Sequence, residues 1–361
     1  MMRYLKTISI MALTVLMLTG CMYSRTVVVD EKPTVSSDSS VDTFNAEHLN
    51  TSTYLVDFLG VDAKNRLISL NKSEDSCYIS ASSLSDTSLQ RVIIKEDNIT
   101  DAALANNGSN IVFRTNSGQN ISLYNYSIYT RETTKLYSES DFRVKSEFAV
   151  SDSLSSVSDV IYENGEYSVV EYSLYSGKCN KYKISDNGLK NSLEYIAGDS
   201  VINSVFVQPD GRVNVKATGK YGSYLISGKF KNNPEDFLVL ESSSINPQYA
   251  SGMLFYVNKQ NELMVLNVES RTEQKLASDI KSFTVASDKM SIAYISTNNG
   301  SDKLYIMPTL NSNPKLIDLR KGIDNIQLSS NGEHMLISYA INDDYNYSKN
   351  EYLMYEIEYD Y

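Results

Sequence analysis

Apolar residues recur along this chain at offsets of 0, +3 and +5, and each set is followed at +6 to +9 by a polar turn. Ile280, Phe283 and Val285 lead into Ala286-Ser287-Asp288-Lys289, and Ile323, Ile326 and Leu328 lead into Ser329-Ser330-Asn331-Gly332. Ile202, Val205 and Val207 lead into Gln208-Pro209-Asp210-Gly211, and Ile99, Ala102 and Leu104 into Ala105-Asn106-Asn107-Gly108. Such turns accept positive φ and join antiparallel strands tightly. In the clearest copy a second strand (291–296), a loop (297–302), a third strand (303–307) and a shorter fourth (315–317) follow. The unit is a four-stranded antiparallel meander of roughly 43 residues, the size of a propeller blade. Weaker copies start near Leu55, near Lys145 (with Phe148 and Val150) and near Ile245. The pattern predicts an all-β propeller of seven blades over residues 51–361, with the uneven spacing around 187–200 leaving six or eight open.

These turns resemble the TolB-type propeller repeat, whose blades carry Ser-Pro-Asp-Gly between the first two strands. Gln208-Pro209-Asp210-Gly211 matches three of the four positions, while Ser287-Asp288 and Asn331-Gly332 are fragments of it. The likeness extends to WD40-like propellers in general, although the chain has no Trp and so lacks the Trp-Asp dipeptide. It implies a platform for protein contacts, on a fold that hosts many functions.

The last copy ends on its third strand (352–357), so an N-terminal segment is expected to close the ring and cover the edge. Residues 26–29 and 41–44 are the candidates; the second is easier, because Thr26 lies only five residues from Cys21, a reach of ~17 Å.

The N-terminus carries a different signal. Arg3 and Lys6 precede an apolar run at 8–18 of about a dozen residues, too short to span a bilayer comfortably and typical of a secretion signal. It ends in Leu18-Thr19-Gly20-Cys21, which resembles the lipobox of bacterial lipoproteins. The resemblance implies cleavage between Gly20 and Cys21 and acylation of the Cys21 thiol. Residues 1–20 thus read as a signal peptide and 21–50, polar and Ser-rich, as a lipidated tether. The expected location is the extracytoplasmic face of the cell membrane, periplasmic in a Gram-negative cell.

The formal charge is −11, and loss of Arg3 and Lys6 with the signal leaves −13. No basic excess exists for a nucleic-acid partner, and such a body should not lie on an anionic bilayer. Cys77 and Cys179 fall in non-adjacent repeats, so free thiols are expected.

Catalytic signatures are sparse. With only His48 and His334, a Ser-His-Asp triad has no good candidate. Gly-x-Ser-x-Gly, His-Glu-x-x-His, paired Cys-x-x-Cys, EF-hand and phosphate-loop motifs are all missing, so neither a metal nor a cofactor is expected. The most distinctive loop is 341–348, where Asp343, Asp344, Tyr345 and Tyr347 mix acids with aromatics suited to a sugar, a cation or a protein groove. Two acids fall short of a calcium shell. The first expectation is therefore a non-enzymatic, membrane-anchored platform for a protein or envelope component. The alternative is a carboxylate-dependent propeller enzyme, a glycoside hydrolase or lyase acting on envelope polysaccharide, since scattered acids leave no spacing signature. A bilobed solute receptor is disfavoured by the lack of βαβ alternation.

Overall fold

The computed structural model describes residues 43–45 and 55–358, apart from stretches at 73–75, 85–89, 106–107, 118–119, 140–147, 151–155, 164, 175, 177, 185–187, 198–200, 208–211, 230–236, 287–289, 299, 330 and 343–347. The predicted signal peptide, Cys21, His48 and the turn at 208–211 lie outside the described residues.

Seven four-stranded antiparallel sheets form a seven-bladed β-propeller. Blades 1 to 6 are meanders of consecutive strands whose first strands are Leu55–Val61, Ile99–Leu104, Ala149–Val150, Val201–Val207, Gln248–Ala250 and Ile280–Val285. Blade 7 runs Ile323–Leu328, His334–Asn342 and Ser348–Ile357, and takes its fourth strand from Thr43–Asn45. Thr43 pairs with Ile357 and Asn45 with Tyr355, so the ring closes through the more distal of the two predicted segments. First strands of adjoining blades touch one another, which places them on the inside of the ring.

The 0, +3, +5 spacing has a structural cause. A two-residue strand period would give 0, +2, +4, but four inner strands carry a register shift just after the first apolar residue. These fall between Ile99 and Asp101, Ile202 and Ser204, Ile280 and Ser282, and Ile323 and Asn325. One residue is bulged out, and the later apolar residues return to the face of the first. That face packs on the preceding blade: Ile99 sits among Ile68, Leu70 and Ile79 of blade 1, and Ile323 and Ile326 among Ala293, Ile295 and Leu304 of blade 6.

The core is accordingly a ring of seven apolar clusters, one per seam between blades. Each seam also has a polar tie. Lys72 Nζ donates to Thr100 O at 2.9 Å, Val207 N–H to Ser158 Oγ at 3.1 Å, Lys216 Nζ to Asn246 Oδ1 at 2.7 Å and Ile323 N–H to Asp302 Oδ2 at 2.9 Å. Gln248 spans the 5–6 seam, Gln327 Nε2 donates to Phe58 O across the 7–1 seam, and Arg114 pairs with Asp159 across the 2–3 seam.

The irregular spacing at 187–200 holds the single helix among the described residues, Gly188–Ala197. Leu189, Leu193 and Ile196 share one face and pack on Ile202, Val205 and Val213 in the 3–4 seam. The helix is an insertion, and the blade count stays at seven. Both cysteines are free: Cys77 is half-buried and packs on the 1–2 cluster, and Cys179 is exposed.

Candidate functional site

The inner strands begin at the face that also carries the hairpins between second and third strands. There, position +2 of the repeat is Asp57 in blade 1, Asp101 in blade 2 and Asn325 in blade 7, and the bulged residue of blade 7 is Asp324. Three successive inner strands thus bring three carboxyls to one sector of the channel. A cavity of 240 Å³ opens there, lined by Asp57, Asp324, Asn325, Gln327, Ser338 and Tyr352.

The carboxyls differ in their surroundings. Burial pushes the Asp57 carboxyl above its ordinary range; Lys72 opposes the shift, and the neighbouring Asp101 charge adds to it. Asp57 is accessible from the channel, yet enough protein surrounds it to disfavour the charged form. Asp101 instead has a cation beside it, with Arg114 Nη1 at 3.7 Å from Oδ2. Paired carboxyls in unlike environments are the arrangement that acid–base chemistry uses.

Behind Asp101 stands a buried network. Arg114 Nη2 donates to Asp159 Oδ2 at 2.5 Å, and the Tyr137 hydroxyl donates to the same oxygen at 2.5 Å. Asp159 Oδ1 accepts the Val160 N–H at 2.8 Å. The Arg114 guanidinium lies 5.2 Å from the Phe148 ring centroid, and Tyr137 stacks on Tyr172 at 5.3 Å. Burial works against the Arg114 charge, but Asp159, Tyr137 and Asp101 outweigh it and the pKa is raised. Burial and Asp159 hold Tyr137 far above its ordinary value, fixing it as a donor.

A second cavity of 230 Å³ lies at the opposite end of the inner strands, lined by Gly60, Leu104, Gln248, Thr284, Gln327 and Ser329. Its glutamines are already engaged in tying blades together.

The sequence-predicted loop residues Asp343, Asp344, Tyr345 and Tyr347 lie outside the described residues. The hairpin that carries them pairs Asn342 with Ser348 and belongs to the blade that supplies Ser338 and Tyr352 to the first cavity. His334 stands at the other end of its strand, beside the turn after the inner strand of blade 7. Sequence reasoning passed over Asp57 and Asp101, although one signal was available: both stand at +2 of the repeat, after Leu55 and Ile99.

No protein-family model matches the chain, and no curated protein is similar to it in sequence. Among solved structures, an oligogalacturonate lyase in complex with manganese shares the fold with a TM-score of 0.60 at 9% identity, over 88% of this chain and 96% of that one. An oligogalacturonate lyase from Vibrio parahaemolyticus gives 0.58 at 9% identity, over 91% and 97%. The WD40 repeats of RRP9 give 0.51 at 12% identity, over 91% and 99%. At these identities the likeness is one of fold, and it bears out the propeller and its WD40-like character. It also corrects the expectation of a non-enzymatic platform. That expectation rested on missing motifs, and the fold is shared nearly end to end with proteins named as lyases. The manganese of the first neighbour finds no matching ligands: among the described residues no group of three or more His, Cys, Asp or Glu could hold a metal ion.

Proposed function

We propose that this propeller is a carboxylate-dependent enzyme that cleaves a cell-envelope polysaccharide at the channel sector formed by blades 7, 1 and 2. The observation that carries the reading is the placement of Asp57 beside Asp101 on adjoining inner strands, one carboxyl biased toward its protonated form and the other ion-paired with Arg114. Asp57 is the acid that protonates the departing glycosidic oxygen, and Asp101 is the base that takes up a proton on the opposite side of the reaction. The names of the two lyase neighbours support glycan cleavage. The three carboxyls of the site weigh against a polyuronate and toward a sugar chain with less negative charge. Asn325, Ser338 and Tyr352 supply the polar and aromatic surface that a sugar ring requires. The hairpin with Asp343, Asp344, Tyr345 and Tyr347 extends the grip on the glycan, and acylated Cys21 holds the enzyme at the extracytoplasmic face of the membrane.

The full chain is to be incubated with peptidoglycan, neutral envelope glycan and polygalacturonate, following new reducing ends and the ultraviolet absorbance of unsaturated products. Cleavage that disappears in both Asp57→Asn and Asp101→Asn is the expected result. Cleavage of none of the three, or cleavage indifferent to both substitutions, would remove the reading. In the same cells, Cys21→Ser is expected to move the protein from the membrane fraction to the soluble one.

A further inference from the structure

The Arg114 guanidinium is unusual in being held from behind more tightly than it holds anything in front. Its side chain is 9% exposed, and Nη2 is committed to Asp159, whose own side chain is fully buried. Tyr137 and the Val160 N–H complete the shell of Asp159, and the Phe148 ring lies against the guanidinium. What remains is Nη1, directed toward the half-exposed Asp101. Asp101 and Arg114 are also directly cross-strand partners in blade 2. A planar fork anchored by one tine can aim the other, which a lysine cannot do.

We propose that Arg114 is a positioning residue that, anchored by Asp159 and Tyr137, holds the Asp101 carboxylate beside Asp57 and so sets which of the two carboxyls is the acid. This rests on the reading of Asp57 and Asp101 as the reacting pair. The charged groups facing that pair are Lys72 on the second strand of blade 1, Arg114 on the second strand of blade 2 and, across the cavity, Asp324 of blade 7. Arg114 is the one among them fixed by a buried partner of its own. When its charge is removed, Asp101 repels the charged form of Asp57 without compensation, and the pair takes up protons at higher pH.

The test is the titration of the Asp57 carboxyl, followed by carbon-13 NMR in the full chain. The expected result is a midpoint displaced to higher pH in Arg114→Gln and, to a smaller extent, in Arg114→Lys. Arg114→Lys keeps a cation on Asp159 and so preserves the fold if the glutamine variant does not assemble. In an Asp101→Asn background the same substitutions are expected to leave the Asp57 midpoint where it stands, because the effect runs through Asp101. An Asp57 midpoint unmoved in folded Arg114→Lys, or a displacement that persists without Asp101, would overturn the proposal. The titration needs no substrate, so its outcome is separable from that of the cleavage assay: a displaced midpoint with no glycan cleaved would retire the enzyme and leave the Arg114 arrangement standing.

Discussion

Ser158 Oγ accepts the backbone N–H of Val207 at 3.1 Å, although the two are 49 residues apart and belong to different blades. Val207 is at +5 of its repeat, and the equivalent N–H in blade 6, Val285, is accepted by Gln248 Oε1 of blade 5 at 2.8 Å. Gln248 Nε2 in turn donates to Phe283 O at 3.1 Å, and the corresponding carbonyl of blade 1, Phe58 O, receives Gln327 of blade 7. The inner strands thus have their channel-side backbone groups satisfied by side chains of the preceding blade, a role no ladder partner can fill.

This pattern ranks two substitutions. Gln248→Ala leaves both a donor and an acceptor of blade 6 unpaired and is expected to cost about 1–3 kcal/mol in denaturant unfolding. Gln327→Ala is expected to cost less, because its amide makes one such bond and its Oε1 has no protein partner. Equal midpoints for the two variants would contradict the ranking.

Gly108 is the second test. Its φ is +65°, and a Cβ placed there would stand 2.5 Å from Ala63 N and 2.8 Å from the Asp62 carbonyl carbon. The close approach is itself used, since Ala63 N–H donates to Gly108 O at 2.9 Å across the 1–2 seam. Gly108→Ala is expected to cost at least about 2 kcal/mol, from backbone strain and collision together. A variant that melts with the wild type would show that the turn can shift.

His334 gives the chain a pH dependence of defined sign. Burial lowers its pKa, and Glu356 and Glu333 offset only part of that effect. The unfolded chain therefore binds a proton at about pH 6.5 that the folded chain resists. Stability contributed by the neutral ring is present above that value and declines as the pH falls below it. His334→Gln is expected to flatten this limb in melting temperatures measured from neutral to mildly acid pH; an unchanged limb would place the titration elsewhere.

The closing strand can be tested by Phe44→Pro. Phe44 faces Glu356 in the ladder that completes blade 7, and proline supplies no N–H to it. A lower melting temperature and new oligomers by size-exclusion chromatography are expected, because an opened edge is a template for pairing. A monomer of unaltered stability would mean that the three-residue strand is dispensable.

The propeller was legible because its periodic signal is a packing signal. Ile280, Phe283 and Val285 must all face blade 5 whatever the rest of the blade contains, and a bulge at the same place in four blades keeps their offset constant. The helix Gly188–Ala197 escaped, as it fills a gap between repeats rather than a position within one. The acids at +2 escaped for another reason. An aspartate on an inner strand reads as any solvated acid until closure of the ring brings Asp57, Asp101 and Asp324 to one sector. Arg114 and Asp159 were invisible in the sequence too, since 45 residues separate partners that meet only across a seam.

The pairing of Thr43 with Ile357 orders events in the life of the chain. Six blades can assemble one after another from local meanders as the polypeptide emerges. The seventh must wait until its last strand has left the ribosome or the export channel, because the segment that seals it was made first and has stood idle since. During that interval the outer edge of blade 7 is the exposed flank of the molecule, so any delay in releasing the final residues falls on the step where chains are most prone to join one another.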